Sequence, residues 1–445
     1  MPQTMRLAYD LSWTHLDGRW RLPGSWTGRV FPDLRMYQEI AQIAERGCID
    51  MLFFGDGTGI PSTWRGSRDE AVKWGISWPR QDMSPFIAAI AQTTGHIGFG
   101  LTYASTFMHP FYTARLLNSL DHVTGGRIAF NVVTSSRRAD AANYGFDELM
   151  EHGARYDRME EFIDVCRALW DSVEPDAFIW DHATGIVADP AKVHAIDHDG
   201  RFFKVRGPLN AVPSPQRHPV IIQAGGSPRG VRASAHVADH IFGAPKPLPL
   251  QIQQRHDLDA ALRAEHRDPA TVGILWDILL VVGEFEREAV ARREQLLTAI
   301  PPDGVGPFLS HQSGYDFSTL PERFTLLEVN QAIAATNASP VGFIHQLAHE
   351  IGEATEITRA EFFEHGLQEA TGYRHTIAGT AAQVADHLEH VFEQTGSRGG
   401  FMIAHPQGTP RDLLAVVDFL IPELRARGRF RHRYEGRTLR ENLSL

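Results

Sequence analysis

Residues 124–136 read TGGRIAFNVVTSS: two glycines, an apolar run, then a cluster of amide and hydroxyl side chains. The glycines fit a turn, and the run from Arg127 to Ser135 has the length and β-branched content of a buried strand. Asn131, Thr134, Ser135 and Ser136 do not belong in an apolar core. In a parallel (β/α)8 barrel they have a place, because the C-terminal ends of its strands form the rim where ligands bind.

The rest of the chain supplies the other strands. Short apolar runs lie at 5–12 (MRLAYDLS), 49–56 (IDMLFFGD), 97–105 (IGFGLTYAS), 219–225 (PVIIQAG), 240–244 (HIFGA), 274–283 (ILWDILLVVG) and 399–405 (GGFMIAH). With 127–135 they make eight, the number that closes a (β/α)8 TIM barrel. Between most of them run amphipathic segments such as LRMYQEIAQIAERG and RYDRMEEFIDVCRALWDS, with apolar residues at helical spacing. A doubly wound sheet competes, but neither GDGTGI (55–60) nor GGSPRG (225–230) has the spacing of a dinucleotide turn or the Lys-Ser/Thr ending of a P-loop.

At 445 residues the chain exceeds the roughly 250 of a plain barrel, so insertions are expected. Three stand out: 57–84, rich in Gly, Trp and Pro; 172–218, with the hairpin-like HDGRFFKVRGPLN; and 301–375, which joins PPDGVGPFLSHQSGYD to further helices. We expect a single domain over 1–445, with these insertions at the C-terminal rim, where lids and pockets are built.

Composition narrows the function. The chain is 43% hydrophobic and 22% charged, as a soluble globular protein is, and its net charge of −11 opposes nucleic-acid binding. No apolar stretch is long enough for a membrane span, and the N-terminus lacks the pattern of a signal peptide. Cys48 and Cys166 sit in helix-like contexts as free thiols, which fits the cytoplasm. His182, His194 and His198 lie near Asp197 and Asp199, but without HExxH or paired-Cys spacing no metal site is expected.

Polar residues end several strands: Asp56, Thr102 and Ser105, Asn131 and Thr134, and Ser227 just after IIQAGG. Such a ring of neutral donors and acceptors with one carboxylate suits a heteroaromatic ligand. In IIQAGGSPRG, Ser227 is placed to cap a helix and Pro228 to start it, which makes an anion site beside two glycines. His152 and Tyr156, four apart in HGARYDRMEEF, share a helix face and add two donors, whereas Arg155 and Arg158 are expected to pair with acidic neighbours. His15 and His311 are the histidines placed to reach the rim.

Together FFGDG, GFGLTYASTFMHPFYTARLLNSLDHVTGGRIAFNVVTSS, ANYGFDELMEHGARYDRMEEFIDVCRALWDS, SPQRHPVIIQAGGSPRG and the tail RYEGRTLRENLSL resemble the flavin-dependent monooxygenases of the bacterial luciferase-like superfamily. More narrowly the chain is similar to the large components of the nitrilotriacetate and dibenzothiophene-sulfone monooxygenase family. The resemblance implies a two-component system. A separate NAD(P)H:flavin reductase supplies reduced FMN (FMNH2), and this oxygenase uses it with O2, through a C4a-(hydro)peroxyflavin, to oxygenate a small organic substrate, xenobiotics included. It further implies that FMN contacts Asp56, Thr102, Asn131, His152, Tyr156 and Ser227, the last three on the phosphate side. It places His15 by the flavin and His311 on a loop over the pocket, and because imidazole titrates near working pH both are candidate catalytic groups for proton transfer. A homodimer or homotetramer is also expected.

The segment differs from the family pattern at Asp17, where relatives often carry a second histidine, and in the tryptophans Trp64, Trp74 and Trp78, which serve either an aromatic entrance or the packing of a long loop. Arg137 and Arg138 either meet a substrate carboxylate or face water. Three other readings stay open: a deazaflavin-dependent oxidoreductase on the same barrel, a non-catalytic flavin-binding barrel, and a metal-dependent hydrolase.

Overall fold

A computed structural model describes residues 3–13, 15–25, 31–135, 137–335, 342–404 and 410–444. Strands β1 (Arg6–Asp10), β2 (Met51–Phe54), β3 (Gly98–Ala104), β4 (Ile128–Val133), β5 (Val220–Gln223), β6 (His240–Gly243), β7 (Gly273–Gly283) and β9 (Gly399–Ala404) pair in parallel in the order β1-β2-β3-β4-β5-β6-β7-β9. The circle closes where β9 pairs with β1, Arg6 opposite Gly400. All eight expected strands are present, seven a little shorter than their apolar runs and β7 one residue longer.

One strand was not expected. Thr376–Thr380 (β8) pairs in parallel with Leu279–Gly283, the outer half of β7. TIAGT carries too little apolar or β-branched character to stand out, but β7 itself offered a signal. At 11 residues it outruns every other strand of the barrel, and its inner half alone, Gly273–Leu279, serves β6 and β9.

The interior follows from the two-residue period of a strand. Ala8, Met51, Phe53, Ala129, Val220, Ile222, Leu275 and Met402 fill the middle of the barrel, and Leu439 and Leu443 of the last helix close its bottom. A Cβ on Gly98 would stand 2.5 Å from the Leu439 side chain, so glycine admits that plug. Two residues further up four of these strands, the inward positions become Asp10, Thr102, Asn131 and Asp277. This change of layer is why TGGRIAFNVVTSS turns polar: Asn131 is still inside the barrel, at the level of the rim.

Helices packed outside the strands form the main core. A separate apolar core joins two of the insertions: Ala71, Ile76, Trp64 and Trp74 from 57–84 meet Val305, Leu309, Phe317, Phe324, Phe343 and Phe362 from 301–375. The third insertion holds the short antiparallel pair His198–Asp199 and Lys204–Val205, the hairpin expected there.

Candidate active site

The site is built on the ends of β1 to β5. Thr102 and Asn131 are opposite each other in the β3–β4 register, and Asn131 Nδ2 donates to Thr102 Oγ1 at 2.9 Å. The bond fixes the amide so that its Oδ1, buried, has no hydrogen-bond partner among the described residues. An orphaned acceptor in an enclosed rim is costly unless a ligand donor meets it.

Asp56, at the end of β2, accepts from the backbone N–H of Gly57 at 2.7 Å, and burial raises its carboxyl above the ordinary range. Asp56 and Thr102 line a cavity of ≈220 Å³ with Tyr103, Met108, Val133 and Arg137. A wider cleft of ≈950 Å³ shares Asp56 and Tyr103 and adds Ser77, Trp78 and Arg80. Ser135, directly beyond β4, holds φ at 46°, a left-handed conformation that costs a non-glycine residue on the order of 1 kcal/mol or more. Its hydroxyl donates to Asp140 Oδ2 at 2.9 Å, which fixes the turn.

The phosphate-side candidates sit together on two helix starts. His152 and Tyr156 lie on α1 (His152–Asp171), with ring centroids 5.2 Å apart at 68°. Ser227 caps α2 (Pro228–Val237), its hydroxyl accepting from Gly230 N at 3.1 Å. A Cβ on Gly230 would stand 2.9 Å from the Tyr156 hydroxyl, so glycine there lets the two helices meet. Arg229 lies over the Tyr156 ring and is neutralised by Glu160 and Asp157 at 2.7 and 2.8 Å.

Two readings of this helix need correction. Arg155 donates to the carbonyl of Ser135 and Arg158 lies 4.2 Å over the Phe203 ring; neither makes an ion pair within 4 Å among the described residues. The nearby carboxylate of Glu161 is already taken by His198 and by the N–H groups of Phe202 and Phe203.

His15 Nε2 donates to the Pro79 carbonyl at 2.7 Å, and its ring stacks on Phe31 at 3.5 Å. Since a carbonyl only accepts, Nε2 carries the proton. Burial lowers its pKa to about 4. His311 is on a helix, not a loop: Pro302–Ser313 (α3). Its Nε2 is buried without a partner among the described residues, and burial together with the guanidiniums of Arg137 and Arg80 lowers its pKa to about 3. Both imidazoles are therefore neutral at pH 7, away from the titration range that a free histidine would occupy. Neither lines the two cavities above.

Helix α3 forms in spite of Gly304, Gly306 and Pro307 because those glycines admit the tryptophans. A Cβ on Gly306 would meet the Trp64 ring at 2.4 Å, and one on Gly304 would meet Trp74 at 3.4 Å. Trp64 and Trp74 are packing for the insertions; Trp78 alone of the three lines the cleft.

Several residues of the site were not read from the sequence. Asp10 sits under the rim, accepts from Ser12 N at 2.7 Å, and is raised to about 6 by burial. Asp277, in the same polar layer, is pushed well above the ordinary range by burial and by Asp10, and it lines a separate cavity of ≈1190 Å³ that extends from Gly226 to His375. Arg80 donates to the Gly55 carbonyl at 3.0 Å, and Asp140 accepts from Thr58 N and Gly59 N at 3.0 and 2.7 Å. The available signal was position: Asp10 ends β1 as Asn131 ends the inward face of β4.

Cys48 and Cys166 are buried free thiols. Among the described residues no group of three or more His, Cys, Asp or Glu side chains is placed to hold a metal, and no helix is long and apolar enough to cross a membrane.

With this geometry in view, comparisons with known proteins are specific. The family model described as luciferase-like monooxygenase matches residues 13–399. The chain is similar to dibenzothiophene-sulfone monooxygenase of Rhodococcus erythropolis, 35% identical over 97% of this chain and 94% of that one. It is similar to nitrilotriacetate monooxygenase component A of Aminobacter aminovorans, 35% identical over 98% of this chain and 95% of that one. A crystal structure of riboflavin lyase with modified FMN and riboflavin superposes with a TM-score of 0.88 at 29% identity, covering 99% of this chain and 96% of that one.

Proposed function

The chain belongs to the luciferase-like monooxygenase family, and from that premise we propose that it is the oxygenase component of a two-component system, binding FMNH2 delivered by a separate flavin reductase. Family membership makes it a flavin-dependent oxidoreductase. That this chain itself takes FMN rests above all on the orphaned Asn131 Oδ1. It is a buried acceptor with no partner among the described residues, beside Thr102 at the level of the rim, which matches the N–H edge of a reduced isoalloxazine.

The residues divide the work as follows. Asn131, Thr102 and Asp56 orient the ring by hydrogen bonds, and the Asn131–Thr102 bond spares the ligand the cost of ordering the amide. His152, Tyr156 and Ser227 receive the phosphate, with the N-terminus of α2 adding its partial positive charge. Bound FMNH2 supplies the electrons with which O2 is activated. The core joining 57–84 to 301–375 keeps water from the rim, which such chemistry requires. His15, with Nε2–H committed to Pro79, and His311, whose Nε2 has no partner among the described residues, are neutral groups at pH 7; His311 is the one with a ring nitrogen left for a further hydrogen bond. We read residues 1–445 as one barrel unit with three insertions, acting in the cytoplasm as a homodimer or homotetramer.

The test is anaerobic titration with FMNH2 followed by mixing with oxygenated buffer in a stopped-flow spectrophotometer. Saturable binding and a reoxidation time course distinct from that of free FMNH2 are expected. If FMNH2 does not bind, or reoxidises as it does without protein, the reading is wrong and a deazaflavin becomes the next ligand to try.

A further inference from the structure

The relatives' names span neutral molecules, such as dibenzothiophene sulfone, and polyanions, such as nitrilotriacetate, so family alone leaves the substrate's charge open. The ≈220 Å³ cavity speaks to it. One wall is apolar and aromatic: Phe107 and Tyr144 stack with centroids 4.8 Å apart and planes within 5°, and Met108 and Val133 continue the surface, while Asp56 and Thr102, assigned above to the flavin ring, line the cavity with Asp140. Arg137 enters this cavity from the turn after β4, its Nη1 lying where it would be 2.4 Å from a Cβ on Gly57.

The aspartates around it keep their charge, but their oxygens bond to backbone and hydroxyl donors and, among the described residues, none forms an ion pair with Arg137. Asp140 is occupied by Thr58 N, Gly59 N and the Ser135 hydroxyl. Asp82 accepts from Ser84 N and from the Tyr103 hydroxyl, at 2.9 and 3.0 Å. Asp56 accepts from Gly57 N, and Asp17 accepts from Ser77 N and faces Arg19 at 3.9 Å. Asp10 is bonded to Ser12. Against these, the Arg137 side chain has no ion pair or hydrogen bond among the described residues. Arg80 spends its guanidinium on the carbonyls of Ser12 and Gly55 and on the Ser77 hydroxyl, not on a carboxylate. The two guanidiniums are close enough to oppose one another, and both bear on His311, whose Nε2 is open.

We propose that Arg137, in the field of Arg80, is the substrate-anion site of this enzyme, and that the substrate class is an aromatic or compact apolar molecule carrying one carboxylate or sulfonate. The apolar body lies against Phe107 and Tyr144, and the guanidinium fork takes two oxygens of the anion. This rests on the proposed function for its location beside the flavin ring, but the anion site itself does not require flavin. FMN carries an anion too; its phosphate is assigned to His152, Tyr156 and Ser227, so the two anions should occupy different places.

Benzoate and its neutral counterpart benzamide serve as probes, each titrated by calorimetry into the full-length protein with and without saturating FMN. Wild type should bind benzoate at least about tenfold more tightly than benzamide, with a preference that shrinks as salt rises. Arg137→Gln should abolish the preference and Arg137→Lys keep part of it, while both leave FMN affinity unchanged. Equal binding of the two probes by wild type, or an unchanged preference in Arg137→Gln, overturns the proposal. So does loss of benzoate binding on FMN addition together with weakened FMN binding in the variant, since Arg137 would then serve the cofactor. If Arg137→Gln does not fold, the wild-type preference and the Arg137→Lys variant decide the matter. Benzoate preference without any FMN binding would sink the flavin reading and leave the anion site standing; FMN binding without the preference would do the reverse.

Discussion

Arg229 and Arg137 follow two neighbouring strands of the barrel, β5 and β4, and show two uses of one residue type. Arg229 is held by Glu160 and Asp157 and lies over Tyr156, so its charge is balanced within the helix pair that it joins. Arg137 lines a cavity, and the carboxylates around it are already bonded to backbone and hydroxyl donors. A balanced cation stabilises the scaffold. One with no direct partner beside a cavity adds little to the scaffold and is free to meet a ligand.

This contrast can be broken by measurement. The largest effect belongs to the site's orphaned acceptor: Asn131→Ala should weaken FMNH2 binding by about 10- to 100-fold, measured anaerobically by fluorescence titration, because a buried hydrogen-bonding network loses its ligand contact and its Thr102 bond together. An unchanged affinity would move the isoalloxazine away from β4.

Next is the pH dependence of His311. Its pKa falls from the ordinary 6.5 to about 3 in the fold, so the unfolded chain binds the proton first as pH drops. The residue therefore subtracts stability progressively from about pH 6.5 down to about pH 3. His311→Gln should gain roughly 1–2 kcal/mol relative to wild type between pH 7 and pH 5 in urea unfolding, the difference cancelling the raised carboxyls of Asp10 and Asp277, which act in the opposite sense. A constant difference across that range would mean that the imidazole is solvated.

Arg229→Met should cost about 1–2 kcal/mol of stability in the same assay, since it leaves the half-buried Glu160 without its bidentate partner and Asp157 with the exposed Arg201 alone. The smallest effect sharpens the comparison most: Arg137→Met should change stability by less than about 0.5 kcal/mol. A loss as large as that of Arg229→Met would show that Arg137 is scaffold after all.

Most of the barrel was legible because its signal is periodic. Each of the eight closing strands is an apolar run, and Asp56, Thr102 and Asn131 were read as the polar ends of three of them. Strand β8 was hidden because Thr376–Thr380 draws its place from the outer half of β7, not from its own side chains. His311 was placed near the rim but on a loop; glycines and a proline disguised α3, whose small residues exist to admit Trp64 and Trp74 from a segment over 200 positions away. Arg155 and Arg158 were misjudged because sequence neighbours suggested acids that the fold had assigned elsewhere.

The sequence by itself determined the architecture and the identity of the polar ring, since strand period and strand-end chemistry are local properties of the chain. Only the tertiary structure decided the state of those groups. Neutral imidazoles at His15 and His311, the raised carboxyl of Asp10 and the lack of an ion pair at Arg137 among the described residues all depend on how deeply each group is buried and which neighbours reach it, and both are set by segments remote in the chain.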